Sequence, residues 1–428
     1  MRSRCISCHV SLKTIEDHES CVRGYVRSFP VVFDRALGSR LYAEDGREFL
    51  DFLVGAGTLS YGHNNEALVA SLVAYLRRSG IAHGLDLATR AKIEFIEAFN
   101  SLILAPRKLD YKMMFCGPTG TNAIESALKL ARKVTGRTEV AAFTNAFHGM
   151  TLGSLALTGN RKERKGAGLP LGHVIRFPFD GYLGQGIDTL PFIEKLLEDP
   201  SSGVDEPAAM VLEIIQAEGG VNVASKSWVQ GVSQLAKRQG ALLILDDIQI
   251  GCGRTGPFFS FEEFQIEPDI ICLSKALSGF GLPMSLVLIR PEHDIWEPGE
   301  HNGTFRGNNL AFVTARKALE VYWATSDLET AVRDQGKRIA TRLQSLGTSC
   351  GGVYRGRGLI AGLAFDDPSL AGRVSRAAFE RGVIIETSGP RGEVLKLLPP
   401  LTISEEDLNQ GIDIIESSVE SALEHRHE

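Results

Sequence analysis

Two short apolar runs, each ending on charged residues, restrict what this chain can fold into more than any other feature. Ala241 to Leu245 ends on Asp246 and Asp247; Ile270 to Leu273 ends on Ser274 and Lys275, with Gly279 and Gly281 close behind. Uninterrupted runs of this length suit strands buried on both faces, as in a parallel sheet covered by helices. Ligands of such sheets sit beyond the carboxyl ends of the strands. Asp246 and Lys275 are therefore expected at one edge of one sheet, facing one crevice.

The flanking sequence supplies the other units of such a fold. Val140 to Phe143 and Met210 to Ile215 read as further strands, and Glu66 to Arg78, Trp228 to Gln239 and Leu310 to Trp323 as helices. This alternation indicates βα units and a mostly parallel sheet. Ser285 to Ile289 adds one more strand. Nearer the N-terminus, Ala36 to Phe52 alternates around Asp45-Gly46, which predicts a hairpin with Tyr42 and Phe49 on its strands. Met113 to Gly136 reads as a strand, a Gly117-Pro118-Thr119-Gly120 loop and a helix. The helix is expected to start near Asn122, with Glu125 completing a capping box and Gly136 as the stop. A Gly/Thr loop opening onto a helix start offers an anion free N–H groups, a positive dipole end and the Thr121 hydroxyl. Alone, it is equally an ordinary helix start.

At 428 residues the chain is long enough for two or three domains. The expected class is α/β: a large domain over residues 61–309, and a smaller α+β domain built from 14–60 and 310–428, after a tail at 1–13. A net charge of −6 argues against a generic nucleic-acid or membrane-surface binder, and no apolar run approaches the roughly 20 residues that cross a bilayer. The first residues lack an apolar signal core, so a cytoplasmic protein is expected. Seven scattered cysteines suit free thiols. Cys5-Ile6-Ser7-Cys8-His9 matches the pattern of covalent haem attachment, but no export route accompanies it and only His18 and Cys21 lie nearby as further ligands. No metal site is expected.

One cofactor would use these strand ends together. Pyridoxal phosphate needs a lysine for its Schiff base, a carboxylate for its ring nitrogen, a phosphate cup and a flat apolar sandwich. Lys275 and Asp246 are the candidates for the first two, and Gly120 and Thr121 for the cup. Phe147, just past a strand in Asn145-Ala146-Phe147-His148-Gly149, could cover one ring face, with Ile248 beneath the other. Each residue has a plainer reading: a solvated loop lysine, a helix-capping aspartate, a core phenylalanine. Their occurrence together, in order, at strand ends is harder to dismiss.

The stretches Thr119 to Arg132, DDIQIGCGRTG from Asp246, SKALSG around Lys275 and Gly303-Thr304-Phe305 resemble class III aminotransferases of the fold-type I pyridoxal-phosphate enzymes, over roughly residues 20–420. The resemblance implies Lys275 as the cofactor lysine and Asp246 as its ring-nitrogen partner, with His148 beside the ring. It implies Gln249 at the phenolic oxygen, Glu218 as a gate of the substrate carboxylate pocket, and Thr304 reaching the phosphate of a neighbouring subunit. A homodimer or larger homo-oligomer follows from the last. Where the family commonly has Asp-Glu, this chain has Asp246-Asp247, and Lys396 stands where an arginine that grips a substrate α-carboxylate is expected. Lysine lacks arginine's two-pronged fork, so carboxylate recognition is expected to be rearranged. These variants, with Gly62-His63-Asn64-Asn65 and His83-Gly84-Leu85-Asp86, are similar to the ectoine-type subgroup acting on diaminobutyrate and 2-oxoglutarate. The implied reaction moves an amino group from L-glutamate to L-aspartate 4-semialdehyde. Alternatives are another ω-amine substrate, such as ornithine or 4-aminobutyrate, and an aminomutase or racemase. A nicotinamide-binding protein is disfavoured because no G-x-G-x-x-G follows an early strand.

Overall fold

The computed structural model describes residues 12–184 and 186–424; Cys5, Cys8 and His9, with most of the expected 1–13 tail, lie outside them. At its centre is a seven-stranded sheet, its strands numbered here in chain order: β1 (Lys112–Met114), β2 (Val140–Phe143), β3 (Val174–Phe177), β4 (Ala209–Leu212), β5 (Leu242–Asp246), β6 (Ile270–Leu273) and β7 (Leu286–Ile289). Their spatial order is β1-β7-β6-β5-β4-β2-β3. All pairings are parallel except those of β7, which runs antiparallel to both neighbours. The chain returns from β6 to β7 without a crossover helix, and a short return permits only the antiparallel direction. Ser285 to Ile289 was legible as a strand; its direction was not.

Every residue of β5 and β6 is buried, as their apolar runs require. Leu245 lies opposite Ile271 and Asp246 opposite Cys272, so the two strands end level. That register brings Lys275 out beside Asp246. Helix α1 (Gly120–Thr135) buries Ala123, Ile124, Ala127, Leu130 and Ala131 against one face of the sheet. It begins earlier than Asn122: Thr119 is the cap, and Asn122 completes the box through its Oδ1 contact with the Thr119 N–H at 3.2 Å. Glu125 is used elsewhere, accepting from the N–H groups of Gly153 and Ser154 at 2.9 and 3.1 Å. Asn122 outcompetes it because the cap lies one turn earlier.

The hairpin forms as its Asp-Gly turn indicates, with Leu41 opposite Phe49 and Tyr42 opposite Glu48. Its sheet takes Val383–Ile384 as a parallel fourth strand, which joins the two ends of the chain. A further antiparallel sheet contains Val353–Arg357, Ile360–Ala364, Glu386–Ser388 and Val394–Leu397, and in it Glu386 stands directly opposite Lys396. Arg254, fully buried, ties the loop after β5 to this region through the Leu359 carbonyl at 3.0 Å and the Ser60 hydroxyl at 2.8 Å. Among the described residues, no helix is long and apolar enough to cross a membrane.

Asp247 points away from the crevice. It is 1 % exposed; Oδ2 accepts the Ser260 N–H at 3.1 Å and Oδ1 has no hydrogen-bond partner. Burial pushes its pKa up to about 7. A carboxyl protonated in the fold and ionised in the unfolded chain destabilises increasingly from about pH 4 to its folded pKa, then by a constant amount. Asp247→Asn is therefore expected to raise the melting temperature little at pH 4, progressively more up to pH 7, and evenly above it. A gain independent of pH in melting curves from pH 4 to 9 would contradict this account.

Candidate active site

The strand ends enclose a cavity of about 140 Å³ lined by Gly120, Thr121, Phe147, His148, Gly149, Glu213, Ile215, Asp246, Ile248, Gln249, Ile250 and Lys275. Eight of the residues singled out from sequence thus meet in one space, although they are spread over more than 150 positions of chain. Each arrives from the end of a sheet strand or the start of α1. Glu218 borders a wider adjoining cavity of about 370 Å³ that shares Phe147 as its wall. Lys396 and Thr304 line neither.

Asp246 is held from two sides. Ile248 donates its N–H to Oδ1 at 3.1 Å, and buried His148 donates from Nδ1 to Oδ2 at 2.7 Å. The remaining ring nitrogen of His148 is buried without a partner. Lys275 has a φ of +49°, in the left-handed region that costs a side-chain-bearing residue roughly 1–2 kcal/mol. Burial lowers its pKa, favouring the neutral, nucleophilic amine, while Glu218 opposes that shift.

The walls suit a flat ring bearing an anionic tail. A Cβ on Gly120 would come within 3.0 Å of two Ile248 carbons, so glycine keeps this side of the cleft open. Gly149, at φ +125°, lies where a Cβ would be 2.6 Å from the Thr121 hydroxyl. That hydroxyl contacts those of Thr151 at 2.6 Å and Ser154 at 2.9 Å, beside a helix N-terminus whose first N–H groups lack helical acceptors. Together the nucleophilic amine, the anchored carboxylate, the narrow apolar slot and the polar cup fit pyridoxal phosphate.

Beyond the slot lies a buried ionic group. Lys396 is wholly buried, with Nζ 2.6 Å from Glu218 Oε1 and 3.0 Å from Glu386 Oε1. Gln249 donates Nε2–H to Glu218 Oε1 at 3.0 Å and to the Ala56 carbonyl at 2.9 Å. Tyr25 donates its hydroxyl to Glu386 Oε2 at 3.2 Å. Burial opposes ionisation of Glu218, but Lys396 and Lys275 hold its pKa down at about 2. Burial likewise disfavours the Lys396 ammonium, and Glu218 and Glu386 more than offset it, leaving its pKa raised. Lys396→Met would leave both carboxylates buried without a cation and is expected to cost roughly 3–5 kcal/mol, read as a lowered denaturation midpoint.

Sequence reasoning missed Glu213, Glu386 and Tyr25. Glu213 accepts the Phe147 N–H at 3.0 Å, fixing the aromatic residue at the cavity wall. Burial and then Asp246 push its pKa well above the carboxylate range. Its signal was the one that revealed Asp246: an acid directly after an apolar strand, Ala209–Leu212. Glu386 carries a similar mark, following Val383–Ile384. Tyr25 has no such signal, since its partner lies 361 positions away.

The family model Aminotransferase class-III matches residues 22–419. The diaminobutyrate–2-oxoglutarate transaminase of Bordetella parapertussis is 55% identical over 418 residues, covering 97% of this chain and 96% of the relative. The protein of that name from Streptomyces avermitilis is 56% identical over 412 residues, covering 95% and 97%. Among solved structures, an ornithine aminotransferase from Toxoplasma gondii superposes with a TM-score of 0.84 at 27% identity, over 97% of this chain and 95% of that one. An S-selective transaminase from Arthrobacter shares the fold with a TM-score of 0.87 at 21% identity, over 97% and 99%.

Proposed function

The chain belongs to the class III aminotransferases, and from that membership we propose that it moves an amino group from L-glutamate to L-aspartate 4-semialdehyde, giving 2-oxoglutarate and L-2,4-diaminobutyrate. It is a pyridoxal-phosphate enzyme, and the bound cofactor supplies an electron sink for negative charge at the substrate's amine-bearing carbon. The observation that carries the reading is the meeting of Lys275 and the doubly anchored Asp246 in one cleft. The near-full-length similarity to diaminobutyrate–2-oxoglutarate transaminases supports the substrate pair.

In this mechanism Lys275 would hold the cofactor through Nζ, and its amine, when free, would move a proton at the substrate's amine-bearing carbon. Asp246 would set its negative charge against the ring nitrogen, and His148 keeps that carboxylate oriented. Phe147 and Ile248 keep water from the ring faces. Gly120 and Thr121 would receive the phosphate at the start of α1, and Gln249, bonded to Glu218, would meet the edge of the ring. Glu218 screens Lys396 from the cavity until a substrate carboxylate competes for it.

Two further parts of the reading concern the setting. Thr304 is proposed to complete the phosphate site of a second copy. His83 donates to its carbonyl at 2.8 Å, Phe305 beside it is 67% exposed, and Leu85 and Leu87 on the His83 loop are exposed too. An apolar face of this kind suits burial in a homodimer. The small domain is proposed to comprise 14–60 and 310–428, a division supported by the pairing of Val383–Ile384 with Leu50 and Asp51. Five cysteines among the described residues are unpaired, which suits a cytoplasmic enzyme.

A half-reaction assay tests the substrate. L-2,4-Diaminobutyrate and L-glutamate should each bleach the visible band of the purified holoenzyme, and 2-oxoglutarate should restore it. Stronger bleaching by ornithine or 4-aminobutyrate, or turnover of a single amino acid without any oxoacid, would replace the proposed substrates.

A further inference from the structure

The Lys396 group contains one carboxylate more than charge balance requires. A lone buried lysine is neutralised by one anion, and burying a second carboxylate carries a desolvation cost that needs a reason. The two acids differ in what they face. Glu218 borders the cavity beyond Phe147, whereas Glu386 borders a separate groove with Tyr25, Arg27 and Ser375. Of the two, Glu218 is the one that borders the cavity beside the slot.

Their bonding differs as well. Glu218 makes an aligned hydrogen bond with Lys396 Nζ. The Oε1 atom of Glu386, on a side chain nine-tenths buried, lies 3.0 Å from Nζ yet has no aligned hydrogen bond, while its other oxygen accepts from Tyr25. The strand register holds Glu386 opposite Lys396 whatever Glu218 does. It is an anchored second partner with bonding capacity to spare.

We propose that Glu386 is a specificity-determining residue: it is the internal anion that keeps Lys396 neutralised when Glu218 turns to the second amino group of a diamine substrate. The inference rests on the transaminase reading above. L-2,4-Diaminobutyrate reacting through one amine still carries another as an ammonium, which needs an acceptor that L-glutamate does not. Glu218 can serve it only if leaving Lys396 does not strand a buried cation. Glu386 removes that obstacle, and it also restrains Lys396 from seizing substrate carboxylates. Tyr25 is a positioning residue, acting through the Glu386 carboxylate.

The test is Glu386→Gln in the holoenzyme, with both half-reactions measured and binding of unreactive glutarate followed by calorimetry. Glu218 remains to pair with Lys396, so the charge balance of the fold survives. The KM for L-2,4-diaminobutyrate should rise about 10-fold while that for L-glutamate falls, and glutarate should bind several-fold more tightly, the scale of one partly buried charge contact. Tyr25→Phe, which alters no charge, should shift the same ratio in the same direction by less. A merely structural residue would move both KM values together and lower the melting temperature. Parallel KM changes, or an unchanged ratio with unchanged glutarate affinity, would overturn the proposal and leave the transaminase reading standing. Should the unmodified enzyme fail to use diaminobutyrate at all, that reading falls instead. The glutarate arm still decides the restraint on Lys396: tighter binding in Glu386→Gln supports it, and unaltered binding overturns it.

Discussion

Replacing Lys275 with alanine is expected to reduce transamination by at least about 10,000-fold, the combined loss of a covalent anchor and a general base. No other amine lines the cavity, so nothing within the slot can take over the covalent anchor. Alanine at φ +49° meets the same backbone penalty as lysine. A comparison of the two proteins therefore isolates the side chain from the strain. Because burial already disfavours the charged amine at this position, the variant should melt no lower than the cofactor-free parent. Single-turnover absorbance with L-glutamate checks the chemistry, and dialysis should strip the variant of bound cofactor far more readily. Lys275→Arg supplies the control, since it keeps a long nitrogen-bearing side chain but offers no usable nucleophile. Multiple turnovers by either variant would remove Lys275 from the mechanism.

The second large effect is expected at Asp246. Asparagine preserves the shape, and its one carbonyl oxygen can still accept the Ile248 N–H, at 3.1 Å in the parent; its NH2 then faces His148 Nδ1, which accepts in the tautomer that carries its proton on Nε2. It removes the negative charge from a water-excluded position, where fixed charges act with most effect on the transition state. A loss of about 100- to 1,000-fold in kcat is expected, with cofactor still covalently held through Lys275. The two variants thus separate: one loses anchor and base, the other loses only the electron-sink partner. Fluorescence and circular dichroism of the bound cofactor, with kcat for L-glutamate, check it. A kcat within about threefold of the parent would show that the charge at Asp246 is dispensable.

Much of this arrangement could be read before any fold was known. Apolar runs ending on charged residues marked β5 and β6, because a strand buried on both faces cannot tolerate polar residues until it emerges at the sheet edge. The Asp-Gly turn marked the hairpin, and Gly136 marked the end of α1 through its left-handed φ of +69°. What escaped depended on partners distant in sequence. The cap of α1 is Thr119, which puts Asn122 in the box position and leaves Glu125 to accept from Gly153 and Ser154. Glu213 carried the strand-end mark, but its role, accepting the N–H of a residue 66 positions earlier, showed only in the fold.

Lys396 marks the boundary between the two kinds of information. From sequence it stood out as a lysine in place of an arginine, with carboxylate recognition the natural inference. The fold sets it beside Glu386, opposite in strand register, and Glu218, from a turn, and buries it completely. By itself the sequence determined the family, the strand ends and the residues converging on the slot, because those follow from local pattern. Tertiary structure alone decided the reversed direction of β7, the anchoring of Asp246 by His148 and the excess carboxylate beside Lys396. Each of these rests on which segments the fold sets side by side, and local pattern carries no information about that.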